Sequence, residues 1–358
     1  MSSHPYQGLP ASAFWSTAVA GCEPGGLHGI YEPRFPLDRS TGIATAGSCF
    51  AQHIGRHLVG AGCNVIDVEP APGRLPVGKR AAFGFSLYSA RYGNIYSVHR
   101  LLQLAQEALG SWTPHDICWE RDGRFYDALR PGVEPQGLDT PEEVYLHRRQ
   151  HLQRVRDLFG RMDVLVLTLG LTEAWRSRQH GTVYTMAPGV RSGVFDPDRY
   201  EFVNYGFIEI EAAFAAFLET LKALRNGRAV PKIILTVSPV PLAATASGTH
   251  VLQASTYSKA VLRSICGHLR TTHADIDYFP SYEIVVNPAN RSGFFDDGLR
   301  QVTPRGVDAV MQIFLEAHRL APGRGDSGPD RTGAGVLVAA AADRATVCED
   351  AILEAFAR

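Results

Sequence analysis

The amino-acid sequence predicts an α/β protein, a three-layer α/β/α fold built on a mainly parallel sheet. Two observations predict this fold. Short apolar runs rich in β-branched residues alternate along the chain with longer stretches whose apolar residues recur at helical spacing. The run DVLVLTLG (163–170) is apolar almost throughout, which is typical of a strand buried on both faces. Strands that alternate with helices pair in parallel, and such sheets hold their ligand sites at the carboxyl ends of the strands.

The individual elements follow from these two patterns. The predicted strands are GIATA (42–46), CNVIDVE (63–69), DVLVLTLG (163–170), KIILTVSP (232–239) and IDYFP (276–280). The predicted helices lie at 50–61, 97–109 and 141–159, and at about 208–225, 252–271 and 304–319. Gly62 is expected to end the first of these helices.

Composition divides the chain into four parts. Residues 1–40 are rich in proline, glycine and aromatic residues, which predicts an irregular N-terminal arm over the core. The α/β domain follows at 41–320. Residues 321–335 (APGRGDSGPDRTGAG) are predicted to be a flexible linker because they offer little to bury, and 336–358 a C-terminal helix.

The bulk numbers exclude several classes of function. The 358 residues are 45% hydrophobic and 20% charged, enough to bury a full core. The net charge of −1 argues against a nucleic-acid partner, and no apolar run is long enough to predict a membrane span. The amino terminus shows no signal-peptide pattern, so a cytoplasmic location is expected. The six cysteines are scattered without metal-type spacing, which predicts reduced thiols and no metal site.

The chemistry-bearing residues cluster where predicted strands end. Gly47-Ser48-Cys49 follows the first strand, and Gly170, Thr172, Glu173 and Trp175 follow the strand at 163–170. Ser48 would precede a helix whose positive N-terminus favours the oxyanion of an acyl-transfer intermediate. Cys49 could be the nucleophile instead, since a helix N-terminus also lowers a thiol pKa. We favour Ser48, because its neighbour should point away from the crevice.

Gly47-Ser48-Cys49-Phe50-Ala51 resembles the pentapeptide for which the GSCFA family is named. Six further segments resemble family segments in the same order: HPYQGLPASAFW (4–15), YSARYGNIYSVHRLLQL (88–104), VLTLGLTEAW (166–175), TVSPVPLAAT (236–245), YSKAVLR (257–263) and YFPSYEI (278–284). The family is related to the SGNH/GDSL hydrolases, so the resemblance implies an SGNH-hydrolase-like fold.

The resemblance also implies roles for individual residues. Ser48 would be the nucleophile. The oxyanion would be held by the N–H groups of Ser48 and Gly93, with Asn94 beside them, and by the Thr172 hydroxyl. Thr172 stands where the hydrolases carry an asparagine, and a hydroxyl can still donate one hydrogen bond.

The general base is the point at which the sequence departs from the hydrolases. They carry Asp-x-x-His before the last helix, whereas the matching region here (294–310) holds Asp296 and Asp297, with Arg300 or Gln301 at the position of the base. Other residues must then be weighed as the base. His250, in the loop after a strand, is the first candidate and His99 the second. Glu173 would orient the imidazole, or act as base itself if burial raised its pKa.

Four residues are assigned to substrate binding: Gly170, Trp175, Arg91 and Asp297. The first hypothesis is a serine ester hydrolase or O-acyltransferase that forms an acyl-enzyme on Ser48. Its substrate would be an acylated carbohydrate or small acylated metabolite, and it would need no cofactor. The alternatives are a non-catalytic binding or scaffold protein, indicated by the absent histidine, and acyl transfer on Cys49. A homo-oligomer is left open.

Overall fold

The computed structural model describes residues 4–27, 29–320, 346 and 348–357. In these residues the strands are β1 (Ile43–Gly47), β2 (Cys118–Arg121), β3 (Arg124–Asp127), β4 (Val164–Leu169), β5 (Glu173–Ser177), β6 (Val183–Tyr184), β7 (Tyr200–Asn204), β8 (Lys232–Val237) and β9 (Ile276–Tyr278). The α-helices are α1 (Phe50–Gly60), α2 (Val77–Arg80), α3 (Val98–Leu109), α4 (Pro141–Arg161), α5 (Phe207–Arg225), α6 (Val251–Thr272), α7 (Ser281–Val286) and α8 (Pro304–Ala317).

The central sheet is parallel and has the strand order β1-β4-β8-β9. Successive residues of β4 point to opposite faces, as a strand requires. Leu165 and Leu167 pack in a core with helices α3 to α6, whereas Val164 and Val166 pack in a second core with α1 and α8. The predicted three-layer α/β/α fold is therefore confirmed.

The predicted strand at 63–69 is much shorter than expected. Only Val65 pairs with the sheet, through one parallel bridge to Ile43. Farther along the segment, Glu69 turns to other partners: its carboxylate accepts a hydrogen bond from the Arg91 N–H (2.6 Å) and lies 2.7 Å from Nδ1 of His151. These contacts hold Glu69 away from the sheet, so the rest of the apolar run does not pair with β1 as a strand.

Two small antiparallel sheets lie in stretches for which no strand is predicted. One is the hairpin β2-β3, and the other has the order β6-β5-β7. The second matters for the site, because β5 starts three residues after Gly170 and therefore carries Glu173 as its first residue.

The N-terminal residues have two environments. Residues 4–16 are exposed, whereas Leu27, Tyr31, Phe35 and Leu37 are buried in the α1–α8 core. The Tyr31 hydroxyl donates a hydrogen bond to Oδ2 of the buried Asp277 (3.0 Å), which fixes this stretch to β9.

The predicted linker lies outside the described residues. Of the predicted C-terminal helix, Glu349–Phe356 forms a 3₁₀ helix. Cys348 forms a disulfide with Cys49, so the expectation that all cysteines are reduced is wrong for this pair. The two residues are 299 positions apart, and spacing gives no sign of such a pairing. No helix in the described part of the chain is long and apolar enough to span a bilayer.

Candidate functional site

Ser48 lies at a sharp turn between β1 and α1. Gly47 has a φ of +128°, and a Cβ atom there would lie 2.2 Å from the carbonyl oxygen of Thr168 on β4. Only glycine tolerates this conformation and this approach of the neighbouring strand. The Ser48 N–H donates to the same carbonyl oxygen (2.9 Å), so the ladder continues one residue past β1. The turn thereby places Ser48 at the carboxyl edge of the sheet.

The Ser48 hydroxyl is buried and has no hydrogen-bond partner among the described residues. Gly170, at the end of β4, makes room for it, because a Cβ on Gly170 would lie 3.0 Å from Cβ of Ser48 and 2.9 Å from Cδ1 of Tyr96. The buried ammonium of Lys259 donates to the Gly170 carbonyl (2.8 Å) and holds this turn in place. The strand ends of β1 and β4 therefore meet around the serine, as predicted.

Two of the expected oxyanion donors are engaged elsewhere. The Ser48 N–H is bonded to Thr168, as described above. The Thr172 hydroxyl donates to Oδ1 of Asn204 (2.6 Å), and the Thr172 N–H donates to Oγ of Ser258 (2.9 Å). Thr172 would have to release Asn204 before its hydroxyl could bind an oxyanion.

Asn94 is linked to the serine turn through Tyr88, and Gly93 precedes it in the chain. The Ile95 N–H donates to the Gly47 carbonyl (2.8 Å), which draws this segment along the end of β1. Oδ1 of Asn94 accepts hydrogen bonds from the Gln52 amide (3.4 Å) and the Tyr88 hydroxyl. Because the oxygen of the Asn94 amide serves these partners, its nitrogen is the side that can act as a donor.

Gln52 and Tyr88 are site residues that the sequence reasoning missed. The Tyr88 hydroxyl also lies 3.2 Å from the Ser48 carbonyl oxygen. The Gln52 amide donates a hydrogen bond to the oxygen of this Tyr88 hydroxyl (3.0 Å). The available signal was spacing, since Gln52 follows Ser48 by four residues at the start of a helix and so lies one turn away.

Glu173, the first residue of β5, is half-buried. Thr245, in the segment after β8, donates its hydroxyl hydrogen to Oε1 of Glu173 (2.7 Å). Burial raises the pKa of Glu173 above its ordinary value, although the Thr245 hydrogen bond opposes this. Nearby, Trp175 packs edge-on against Phe195 and Phe202. The sequence analysis allowed Glu173 to act as a base if burial raised its pKa. The pKa of Glu173 is shifted in that direction.

The histidines considered as base have other partners. His250 is exposed, and its Nδ1 accepts the Leu252 N–H (3.1 Å) as the N-cap of α6. The ring of His99 stacks on Tyr205 with a centroid distance of 3.5 Å, and burial lowers its pKa to about 4. Neither forms a hydrogen bond to Ser48 in the described part of the chain. A base role for either stays a prediction.

The region of the expected Asp-x-x-His holds a buried arginine. Asp297 is exposed, and Oδ1 of Asp296 accepts the N–H groups of Arg300 (3.2 Å) and Gln301 (3.1 Å). The Arg300 side chain is buried, and its Nε lies 3.5 Å from Oε1 of Glu354 in the C-terminal 3₁₀ helix. A guanidinium stays protonated, so it cannot take a proton from the serine.

The structure gives Arg91 and Cys49 roles other than substrate binding and nucleophilic attack. The Arg91 guanidinium donates to the Phe83 carbonyl (2.7 Å) and to Oε1 of Glu134 (2.7 Å), and it lies 3.8 Å from the centroid of the Phe85 ring. These contacts give Arg91 a structural role. Cys49 cannot be a thiolate nucleophile in this structure, because its sulfur is bonded to Cys348.

The described residues contain no cluster of three or more metal-ligating side chains. The chain belongs to the GSCFA family, whose model matches residues 42–314. No curated protein and no solved structure matches the chain.

Proposed function

We propose that this chain transfers acyl groups, as an ester hydrolase or O-acyltransferase with Ser48 as the nucleophile. The observation that carries the proposal is the buried Ser48 hydroxyl, which has no hydrogen-bond partner in the described part of the chain. A buried polar group without a partner costs about 1 to 3 kcal/mol, and native proteins contain few of them. A serine kept in this state at the carboxyl edge of a parallel sheet lies where α/β proteins bind and react with ligands.

The surroundings of Ser48 suit the charge that acyl transfer develops. Attack of Oγ on an acyl carbon forms a C–O bond and leaves a negative oxygen, which needs fixed donors. Helix α1 starts at Phe50, two residues after Ser48, so the positive end of its dipole lies beside the serine turn, although the N–H groups of Ala51 and Gln52 already donate to the carbonyl oxygens of Ser48 and Cys49. The Asn94 amide nitrogen and the Gly93 backbone are the further donors that we assign to the oxyanion.

The serine proton requires an acceptor, and we assign that role to Glu173. Its raised pKa makes the carboxylate a stronger base than an ordinary glutamate. In the first step the proton passes from Oγ to Glu173 as the acyl bond forms, and it then leaves with the alcohol of the ester. Water or a second hydroxyl takes the acyl group in the second step. An acylated carbohydrate or small acylated metabolite is the substrate class that we propose.

The second candidate is a binding protein without acyl chemistry. It is favoured by Arg300 and Gln301, one of which stands at the position of the expected base although neither can act as one, and by the lack of any described base bonded to Ser48. Such a protein would hold an anionic or acylated ligand at the same corner and would not turn it over.

A serine-directed probe separates the two candidates. The purified full-length chain is treated with a fluorophosphonate and with p-nitrophenyl acetate, with and without dithiothreitol, because Cys49 beside Ser48 is in a disulfide. We expect labelling and acetate release that Ser48→Ala abolishes. Ser281→Ala is the matched control, since Ser281 is also buried but is hydrogen-bonded to the Val237 carbonyl (3.1 Å). Absence of labelling under both conditions would favour the binding protein.

The role of Glu173 predicts a pH dependence. A base works only when it is deprotonated, so the rate should fall as the pH drops through the raised pKa of Glu173. Glu173→Gln should lower kcat/KM by about 100-fold and remove this limb of the profile. Thr245→Val removes the hydrogen bond that lowers the Glu173 pKa, so the limb should move to higher pH. A profile unchanged in both variants would exclude Glu173 as the base.

A further inference from the structure

We infer that the C-terminal residues 346 and 348–357, here called the strap, close the Ser48 corner, and that reduction of Cys49–Cys348 opens it. In the described part of the chain, the strap has a covalent contact with the residue that follows Ser48 and non-covalent contacts with helix α1 and with Arg300. The effect of its opening on acyl transfer rests on the proposed function, whereas the closure itself is argued only from the contacts of the strap.

The covalent anchor lies next to the serine. Cys49 is the N-cap residue of α1 and follows Ser48 directly, and both residues are 2% exposed. The Cα atoms of Cys49 and Cys348 are 5.4 Å apart, within the usual range for a disulfide. The bond joins the strap to the turn that carries the nucleophile.

The second anchor lies on the first turns of α1. Oγ1 of Thr346 lies 2.8 Å from Nε2 of His53 and 3.4 Å from Nη2 of Arg56. Arg56 lies 3.2 Å from Nδ1 of His53, and a guanidinium can only donate. Nδ1 therefore accepts, and Nε2 carries the hydrogen that is donated to Thr346. Burial and the charge of Arg56 lower the pKa of His53 to about 3, so this anchor does not change near neutral pH.

The third anchor is the buried Arg300, which lies in the region of the expected base. Arg300 lies 3.5 Å from Glu354 of the strap, as described above. Glu354 is half-exposed, so the ion pair alone is weak. The strap thus touches the serine turn, helix α1 and the Arg300 loop together.

The disulfide decides how firmly these weak contacts hold. With the bond intact, the strap stays at a high effective concentration beside its anchors. A dithiol reductant opens it by exchange. One thiolate attacks a sulfur of Cys49–Cys348, the S–S bond breaks, and the second thiol of the reductant releases it as its own disulfide. The cysteines gain two electrons and two protons in all. Among the described contacts, the hydrogen bonds of Thr346 and the ion pair of Glu354 with Arg300 then remain, and both are non-covalent, so we expect access to Ser48 to rise.

The test uses the full-length chain isolated without reductant, compared with the reduced chain and with Cys348→Ser. Cys118→Ser is the matched control, because Cys118 is a partly exposed free thiol on β2. Peptide mapping should find Cys49 linked to Cys348. Reduction or Cys348→Ser should raise amide hydrogen exchange in the first turns of α1 and in 88–96 by about tenfold or more, since an intramolecular tether has been lost. Cys118→Ser should change neither result.

Two outcomes would contradict closure of the Ser48 corner by the strap. One is that peptide mapping finds no peptide linking Cys49 to Cys348, and the other is that amide hydrogen exchange is the same in the oxidised and reduced chains. The chemistry is read separately, by fluorophosphonate labelling of Ser48, which should become faster when the strap opens. If exchange rises but labelling stays absent in both states, the strap stands and the proposed acyl transfer fails. If labelling is equally fast in both states while exchange differs, the strap does not control Ser48.

Discussion

Two buried polar regions of this molecule differ in whether their polar atoms have partners. At the Ser48 corner, the hydroxyl oxygens of Ser48 and Thr168 are buried without a described partner. In the buried charge cluster between α3, α4 and β3, every charged group is paired; the cluster consists of Arg100, Glu107, Asp127, Arg130 and Arg148. Full pairing lets burial coexist with stability, whereas a hydroxyl that is buried without a partner lowers stability.

The charge cluster is built around Arg148. Its Nη1 lies 3.0 Å from both carboxylate oxygens of Asp127, and its Nε lies 3.0 Å from Oε2 of Glu107. Burial would raise the pKa of Asp127, but Arg148 and Arg130 outweigh it and hold that pKa well below its usual range. One guanidinium thus joins two buried carboxylates from different parts of the chain.

The largest effect is expected from breaking this cluster. Arg148→Met keeps most of the volume but leaves two buried carboxylates without their shared partner. The free energy of unfolding should fall by about 3 to 5 kcal/mol, measured by urea denaturation. Arg149→Met is the matched control, because Arg149 is the exposed neighbour on α4 and should change stability by less than about 0.5 kcal/mol. Equal effects in the two variants would show that the cluster contributes nothing specific.

A slightly smaller effect is expected from the turn before Ser48. Gly47→Ala forces a side chain into a φ of +128°, and the added Cβ meets the Thr168 carbonyl oxygen. Backbone strain alone costs about 1 to 3 kcal/mol, and the overlap with β4 adds to it. The melting temperature should fall clearly. In contrast, Gly160→Ala lies in α4 with open space around it and should stabilise by about 0.5 to 1 kcal/mol. A stable Gly47→Ala protein would mean that the turn relaxes readily.

The sequence predicts the central sheet and its helices well, because alternation and capping are local. For example, Thr140 before Pro141 marks the start of α4, and its hydroxyl accepts the Glu143 N–H (3.3 Å). The hairpin β2-β3 was missed although its signal is present. Asp122-Gly123 both have positive φ, the Asp-Gly turn that joins paired strands.

The sequence could predict only those candidate site residues that stand directly after a predicted strand. Ser48 and Glu173 follow predicted strands, so the sequence could single them out as candidates. Whether a donor such as the Thr172 hydroxyl is already engaged depends on Asn204, 32 residues away, which no local pattern shows. The Cys49–Cys348 bond is hidden for the same reason, since contacts between distant segments are set by the fold and not by spacing.

The smallest expected effect compares the two kinds of buried hydroxyl directly. Ser258 is fully buried and its hydroxyl oxygen accepts the Thr172 N–H (2.9 Å), so Ser258→Ala strands a buried donor and should cost about 1 to 3 kcal/mol. Ser48→Ala removes a hydroxyl that has no described partner, so stability should stay the same or rise by up to about 1 kcal/mol. Both variants are measured by urea denaturation of the oxidised full-length chain. If Ser48→Ala costs as much as Ser258→Ala, the Ser48 hydroxyl is a structural hydrogen-bonding group, and the case for a nucleophile held ready at this turn is lost. A neutral or stabilising result, together with loss of probe labelling, is what a residue retained for chemistry at the expense of stability should give.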